Sequence, residues 1–323
     1  MSRMDSGCCG GNLYQVSTQL NRVTIGCIWE SAGSKILDTS LAYGLAAAFC
    51  WGSADFVAKI ATARIGYLKT AFCMQLVGVA FMSLIVGSGV MLLEKFPSAA
   101  CIVVLLGVVN AIATLALYKG FEVGKLSIVS PIASSYPALS SILALVFLNE
   151  RVSSSRYVGI ACIFVGMLIV SLQSNPTPSL GAKRIAAGAG YALIAFAFMG
   201  ILFFGVKIVV YDLGGLVPVL VFRIASTAIF GALLLLNGGR AARIPTSALY
   251  LIGFVGVVDS LANVAYNIGV SVGTVAVVSF VSSLFSVVTL LLAVVMLKER
   301  LSKHQVIGII LLISGIAVIG YLP

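Results

Sequence analysis

Charge is scarce in this sequence. Charged residues make up 9% of the 323 residues, whereas 60% are hydrophobic. A soluble globular protein needs far more charge on its surface, so that class is excluded. The apolar residues fall in runs of about 20, the length of helix that crosses a ~30 Å hydrocarbon core. The composition therefore predicts a multi-pass integral membrane protein built of α-helices. We expect it in the cell membrane, either plasma or inner.

Metal-binding and catalytic groups are also few. His304 is the only histidine, and the seven cysteines form no Cys-x-x-Cys pair. Zinc sites need ligand sets of these types, and a cysteine in an apolar run behaves as a small hydrophobic residue. An intramembrane enzyme would need a nucleophile with a nearby base, or a metal cluster. We therefore expect no metal, no cofactor and no enzymatic activity.

The sequence also lacks a phosphate-binding loop and a pattern typical of nucleic-acid binding. The nearest approach to a phosphate loop, residues 120–127, has the wrong glycine spacing and no strand before it. The net charge is +10, but Lys and Arg are scattered singly or in pairs. That distribution favours contact with lipid headgroups. We expect neither an ATP-driven pump nor a nucleic-acid partner.

A long internal repeat is the most informative feature that is present. Residues 116–171 recur as residues 265–320, and 17 of the 56 positions are identical. A fixed period of this length indicates a duplicated structural unit. With a shift of 148, the similarity extends upstream, where Gly52 meets Gly200 and Lys59 meets Lys207.

Ten apolar runs follow a polar tail at residues 1–40. Each half of the chain contains five of them, at 41–173 and at 187–322, and a linker at 174–186 joins the halves. Because five is odd, the second half must enter the membrane from the opposite side. The runs are 41–60, 69–92, 98–118, 127–148, 156–173, 187–209, 214–236, 247–269, 274–297 and 304–322.

This pattern predicts an all-α membrane protein with ten transmembrane helices in two inverted five-helix repeats. Inverted repeats are typical of secondary transporters, which bind their substrate between the halves near the middle of the membrane. We expect a transporter that moves a small metabolite by alternating access, with export as the direction. A non-transporting membrane enzyme or receptor is the alternative.

The residues also resemble the EamA-type members of the drug/metabolite transporter superfamily over residues 41–322. The resemblance rests on the stretch 51–59, on the repeated pairs Glu150-Arg151 and Glu299-Arg300, and on the duplication itself. It implies an amino-acid-like or drug-like substrate and cytoplasmic termini. The distribution of Lys and Arg instead favours an external N-terminus.

Two ionisable residues lie near the centres of apolar runs. Arg223 and Asp259 stand at matching depth on successive runs, which predicts an ion pair. Their counterparts in the first half are Gln75 and Asn110, which are able to hydrogen-bond to each other. In a functional interpretation, Arg223 binds an anionic group of the substrate or Asp259 carries a coupling proton. In a structural interpretation, the ion pair only joins the two helices.

Other polar residues extend this set. Asp55 and Lys59 are one helical turn apart and able to form an ion pair. Lys207 is the repeat counterpart of Lys59. If Lys207 has no functional role, its long side chain would extend to the lipid headgroups. Pro131 and Pro137 should kink the run 127–148. Its serines recur in 274–297, where small residues also favour close packing. The predicted pathway residues are Trp51, Asp55, Lys59, Gln75, Asn110, Ser130, Ser134, Tyr136, Lys207, Arg223, Asp259, Asn263, Ser279 and Ser283.

The expected partners are therefore a small-molecule substrate and the lipid bilayer, with a proton as a candidate coupling ion. The sequence leaves the oligomeric state open. Glycines seven residues apart in the runs 156–173 and 304–322 favour close helix contacts, either within the fold or between protomers.

Overall fold

The computed structural model of the protein describes residues 39–87, 92–124, 126–149, 153–171, 181–236, 245–297 and 303–321. Regular secondary structure in these ranges is helical throughout, and each of the ten apolar runs lies largely on helix. The polar tail falls outside them except for its last two residues, which begin the first helix. The repeated Glu-Arg pairs also lie outside the described ranges.

The first half contains seven helices in its described part. A single residue, Gly66, separates the first two, and its φ of 83° lies in the left-handed region that favours glycine. The helices are α1 (Thr39–Ile65), α2 (Tyr67–Val86), α3 (Leu92–Lys95), α4 (Pro97–Val123), α5 (Leu126–Ala133), α6 (Pro137–Phe147) and α7 (Ser154–Ser171).

The second half repeats this order in its described part, without a counterpart of the short α3. Its first helix begins at Gly181, within the stretch that the sequence assigned to a linker. The helices are α8 (Gly181–Leu213), α9 (Val217–Leu236), α10 (Thr246–Val272), α11 (Val275–Ser282), α12 (Phe285–Leu297) and α13 (Lys303–Tyr321).

Seven stretches in the described part of the chain are long and apolar enough to cross a membrane. They are α1, α2, α4, most of α8, α9, α10 and the pair α11–α12. Shorter apolar segments lie in α6, α7 and α13. The protein is therefore helical and multi-pass, as the composition predicted.

The runs 127–148 and 274–297 are each divided into two helices, although proline occurs only in the first. At both breaks the amides bond to carbonyls three residues back, as Tyr136 does to Ala133 and Leu284 to Val281, each at 3.2 Å. Near the second break, the Ser283 hydroxyl donates to the Phe280 carbonyl at 2.6 Å. Because such serine bonds compete with the helix ladder and bend it, this break forms without proline.

Apolar side chains face outward and polar ones face inward. Leu84 is 86% exposed and Leu236 is 83% exposed, whereas Gln75 and Arg223 are each 2% exposed. This distribution suits lipid, where a polar group on the outside would find no hydrogen-bonding partner.

The two halves exchange equivalent contacts. Gly107 of α4 packs on Ala225 of α9, and Gly256 of α10 packs on Val77 of α2. Gly256 is the repeat counterpart of Gly107, and Ala225 is the repeat counterpart of Val77. Each half therefore presents the equivalent surface to the other. Gly52 with Val288 and Gly200 with Leu139 form a second exchanged pair of contacts.

The helices α7 and α13, which are repeat counterparts, pack against each other. The glycines that the sequence singled out on them are buried: Gly159, Gly166, Gly308 and Gly315. Of the two alternatives left open above, a helix contact within the fold is the one observed.

Replacing Gly256 by alanine should separate α10 from α2. The added Cβ would lie 2.7 Å from the Met74 carbonyl oxygen and 2.8 Å from Val77 Cβ, so the backbones must move apart. Gly253→Ala is the matched control, because a Cβ there meets nothing within 4 Å. We expect the melting temperature in detergent to fall for Gly256→Ala only. Equal melting temperatures would contradict the close approach.

Candidate functional site

A cavity of about 50 Å³ lies between the two halves. Its wall comes from helices of both repeats, and it has room for a few water molecules. The lining residues are Trp51, Asp55, Met74, Asn110, Ala113, Thr114, Leu117, Tyr118, Tyr136, Met199, Leu202, Phe203, Asp259, Asn263 and Phe285.

Six of the predicted pathway residues line this cavity: Trp51, Asp55, Asn110, Tyr136, Asp259 and Asn263. Arg223 adjoins the wall through Asp259, and Gln75 accepts a hydrogen bond from Arg223. The four predicted serines lie in or next to the divided helices. The two lysines lie within α1 and α8 and contact the ends of α4 and α10. A pathway role for any of these residues stays a prediction.

Aromatic rings form one side of the cavity. Trp51 lies 5.2 Å from Phe203 and 5.7 Å from Tyr266, measured between ring centroids. Phe203 also contacts Tyr136 at 4.6 Å. The sequence did not single out Phe203 or Phe285, although the repeat offers a signal. Phe203 is the repeat counterpart of Asp55, and Phe285 is the repeat counterpart of Tyr136.

The two tyrosines of this cluster are fixed by hydrogen bonds to α11. The Tyr136 hydroxyl lies 2.7 Å from Ser282 Oγ, and the Tyr266 hydroxyl lies 2.6 Å from Ser279 Oγ. Buried tyrosine hydroxyls need such partners. Ser279 and Ser282 therefore hold these aromatic rings in place.

The predicted ion pair between Arg223 and Asp259 is confirmed. Arg223 Nη2 donates to Asp259 Oδ2 at 2.5 Å, and only 2% of Arg223 is exposed. Arg223 Nη1 donates to Gln75 Oε1 at 2.7 Å. Asn263 Nδ2 also approaches Asp259 Oδ2, at 3.3 Å. The guanidinium thus joins α9 to α10 and to α2.

The polar pair expected in the first half is not formed. In the described residues, Asn110 Nδ2 donates to Ser226 Oγ at 3.0 Å, and Gln75 accepts from Arg223. Each first-half residue therefore bonds to the second half. The reason is that the two halves face each other across these helices, so the nearest polar groups belong to the other repeat.

The Asp55 carboxylate lines the cavity and has no hydrogen-bond or ion-pair partner among the described residues. Only 7% of Asp55 is exposed. The sequence considered Lys59 as its partner, one turn away. The Lys59 ammonium instead donates to the carbonyls of Phe121 and Gly124 at the end of α4.

Lys207 makes the equivalent contacts in the second half. Its Nζ donates to the Val270 carbonyl at 2.5 Å and to the Gly273 carbonyl at 2.7 Å, at the end of α10. The last carbonyls of a helix have no partner within it and carry partial negative charge. The repeated lysines therefore cap α4 and α10.

Metal binding finds no support in the described residues, where no group of three or more His, Cys, Asp or Glu side chains could hold an ion.

The sequence profile of the EamA-like transporter family matches residues 39–172 and 186–321. The chain belongs to this family. The resemblance drawn from the residues 51–59 and the duplication is thereby confirmed. The protein is a multi-pass membrane protein of a transporter family, and each family segment spans one half of the chain.

Two further comparisons accompany this assignment to the EamA-like family. An uncharacterised protein of Methanocaldococcus jannaschii is 27% identical over 138 residues, which are 43% of this chain and the full length of that protein. A solved crystal structure superposes with a TM-score of 0.67 at 17% identity and covers 87% of this chain and 96% of the other. At that identity the likeness shows a shared fold alone.

The change Asp259→Asn should destabilise the protein by about 3–5 kcal/mol, because it leaves Arg223 buried without its counter-charge. The double change Arg223→Gln with Asp259→Asn removes both charges and should restore much of the stability. Unfolding in detergent, followed by circular dichroism, measures both.

Asp212→Asn is the matched control, because Asp212 is exposed at the end of α8. It should change stability little. A double variant no more stable than Asp259→Asn would contradict the coupling between the two charges.

Proposed function

We propose that this protein is a secondary transporter that moves a small organic molecule across a plasma or inner membrane by alternating access. The observation that carries the proposal is the position of the cavity. Its wall combines residues of both repeats, such as Asp55 and Trp51 from the first with Phe203 and Asp259 from the second. A molecule bound there would contact both halves at once.

The proposal includes ten transmembrane helices arranged as two inverted repeats, at 41–173 and 187–322. The exchanged contacts support this arrangement. A position of the first half contacts a second position in the second half, and the counterparts of these two positions contact each other with the halves exchanged. Such an exchange relates the two surfaces by a two-fold axis. An odd number of helices in each half would place that axis in the membrane plane.

The same geometry supports alternating access. Two halves of the same fold that face opposite sides of a membrane can rock against each other between two similar arrangements. At about 50 Å³, the cavity is far smaller than the ~300–1,000 Å³ of a typical ligand pocket. We infer that substrate entry requires the halves to move apart, and we propose export as the direction.

The inverted arrangement predicts labelling from opposite sides. Single cysteines inserted after Arg151 and after Arg300, with the seven native cysteines replaced, should react with an impermeant maleimide from opposite faces of sealed vesicles. A cysteine inserted within residues 1–38, outside both repeats, serves as the orientation control. Labelling of both sites from the same face would rule out inverted repeats.

Proteoliposomes should show saturable counterflow of a labelled solute from a panel of amino acids, amines and organic acids. Thr114→Phe should abolish it, because Thr114 lines the cavity and a larger ring would occupy that space. Ile112→Phe is the matched control on the same helix, where Ile112 is exposed on the outer face. It should transport normally.

Two results would contradict the proposal. Equal counterflow with Thr114→Phe and the wild type would show that substrate does not pass through this cavity. Absence of counterflow for every solute, in protein that remains folded, would argue against transport itself.

A further inference from the structure

The cavity wall carries a carboxyl group that no facing cation balances. Asp55 and Asp259 both line it, whereas none of the described lining residues is Lys, Arg or His. Asp259 is paired with Arg223 at 2.5 Å. Asp55 has no partner among the described residues. With all three groups ionised, their charges sum to minus one, so an ionised Asp55 needs a further cation.

A buried carboxylate without a counter-charge is unfavourable, because the ion loses its hydration and gains no compensating contact. Asp55 is 93% buried, since only 7% of it is exposed. A ligand with one positive charge would supply the missing partner and leave the site neutral. A ligand with one negative charge would double the imbalance.

The aromatic rings favour the same kind of ligand. Trp51 stands one turn before Asp55, so both side chains lie on one face of α1. A cation is attracted to the face of an aromatic ring within about 6 Å, most strongly to that of tryptophan. Phe203 and Tyr136 line the cavity close by. An ammonium group paired with Asp55 would therefore lie beside aromatic faces.

Two amides add acceptors. Asn110 uses its Nδ2 to donate to Ser226, and Asn263 uses its own to donate to Asp259. Each therefore retains its side-chain carbonyl oxygen as an acceptor. Both residues line the cavity. A protonated amine brings N–H donors, which match these oxygens and the Asp55 carboxylate.

Arg223 is not available to an anionic ligand. Its Nη1 and Nη2 donate to Gln75 and Asp259. Its Nε is buried without a partner in the described residues, but it faces Gly78, where even a Cβ would lie 2.6 Å away. No ligand fits in that space. The anion-binding interpretation of Arg223 is therefore disfavoured.

We propose that the cavity takes a small organic cation, such as a protonated amine with an apolar body. The inference rests on the proposed transport function, because it names the substrate class of the same cavity. Asp55 forms the ion pair with the ligand, Trp51 contacts its positive group, and the remaining aromatic rings contact its apolar part.

Equilibrium binding tests this with three probes of one shape. Phenethylammonium, 2-phenylethanol and 3-phenylpropanoate share an aromatic body and differ in the charge of the tail. In a Trp29→Phe background, Trp51 is the only remaining tryptophan, so its fluorescence reports on the cavity. We expect saturable binding of the ammonium probe, with the alcohol and the acid about tenfold weaker or more.

The variant Asp55→Asn should weaken binding of the ammonium probe by about tenfold or more, since that factor corresponds to about 1.4 kcal/mol. It should not lower the melting temperature, because Asp55 has no partner among the described residues that the change would remove. Asp55→Glu should retain the preference for the ammonium probe. Asp212→Asn, which removes an exposed carboxylate outside the cavity, should bind as the wild type does.

Several outcomes would overturn the proposal. These are equal binding of the three probes, tighter binding of the acid, an unchanged preference in Asp55→Asn, and the same fluorescence change with sodium chloride alone. The last result would indicate an inorganic cation site. Binding of the amine without any counterflow would instead contradict the transport function. Counterflow of other solutes, without amine preference, would contradict only the substrate class.

Discussion

The buried guanidinium of Arg223 is the constraint on which the centre of the structure depends. A positive charge with 2% exposure is tolerated only when its hydrogen bonds are supplied by the protein. Asp259 supplies the counter-charge from α10, and Gln75 supplies a second acceptor from α2. Gly78 leaves the space that the side chain occupies. The positions of three helices are therefore coupled through one side chain.

Arg223 and Gln75 are repeat counterparts, so their contact lies where the two halves meet as equivalents. If the two halves had identical sequences, two identical side chains would meet at this position. Two arginines there would repel each other, and two glutamines would leave Asp259 without a counter-charge. Divergence between the copies resolves this conflict. The same divergence replaces Asp55 by Phe203, which gives the cavity a carboxylate on one side and a ring on the other.

Duplication also explains which features are alike in both halves. The lysines that cap α4 and α10, the glycines that let helices of opposite halves approach, and the serines at the helix breaks all recur. These residues support the backbone, which is common to both repeats. Several residues that line the cavity differ from their counterparts, as Asp55 does from Phe203 and Tyr136 from Phe285.

Much of the architecture could be predicted from the sequence. Long apolar runs must form helices in lipid, because each backbone group needs a partner within its own segment. Opposite charges near the centres of successive runs are expected to pair, because pairing lowers the cost of burying each of them. The Arg223–Asp259 pair was predicted on this ground and is present. The pairing of Gln75 with Asn110 was wrong, since repeat position does not reveal which half lies nearest.

The sequence by itself determined that the protein is an integral membrane protein of the all-helical class. It also determined the duplication, the family and the central ion pair. Each of these follows from composition, from spacing, or from the cost of burying a charge. Only the tertiary structure decided that Arg223 is enclosed by Gln75, Asp259 and Gly78 and does not line the cavity. It also decided that Lys59 caps α4 and that Asp55 lines the same cavity as several aromatic rings. These facts depend on which side chains distant in sequence come within a few ångströms, and hydrophobic periodicity carries no information about that.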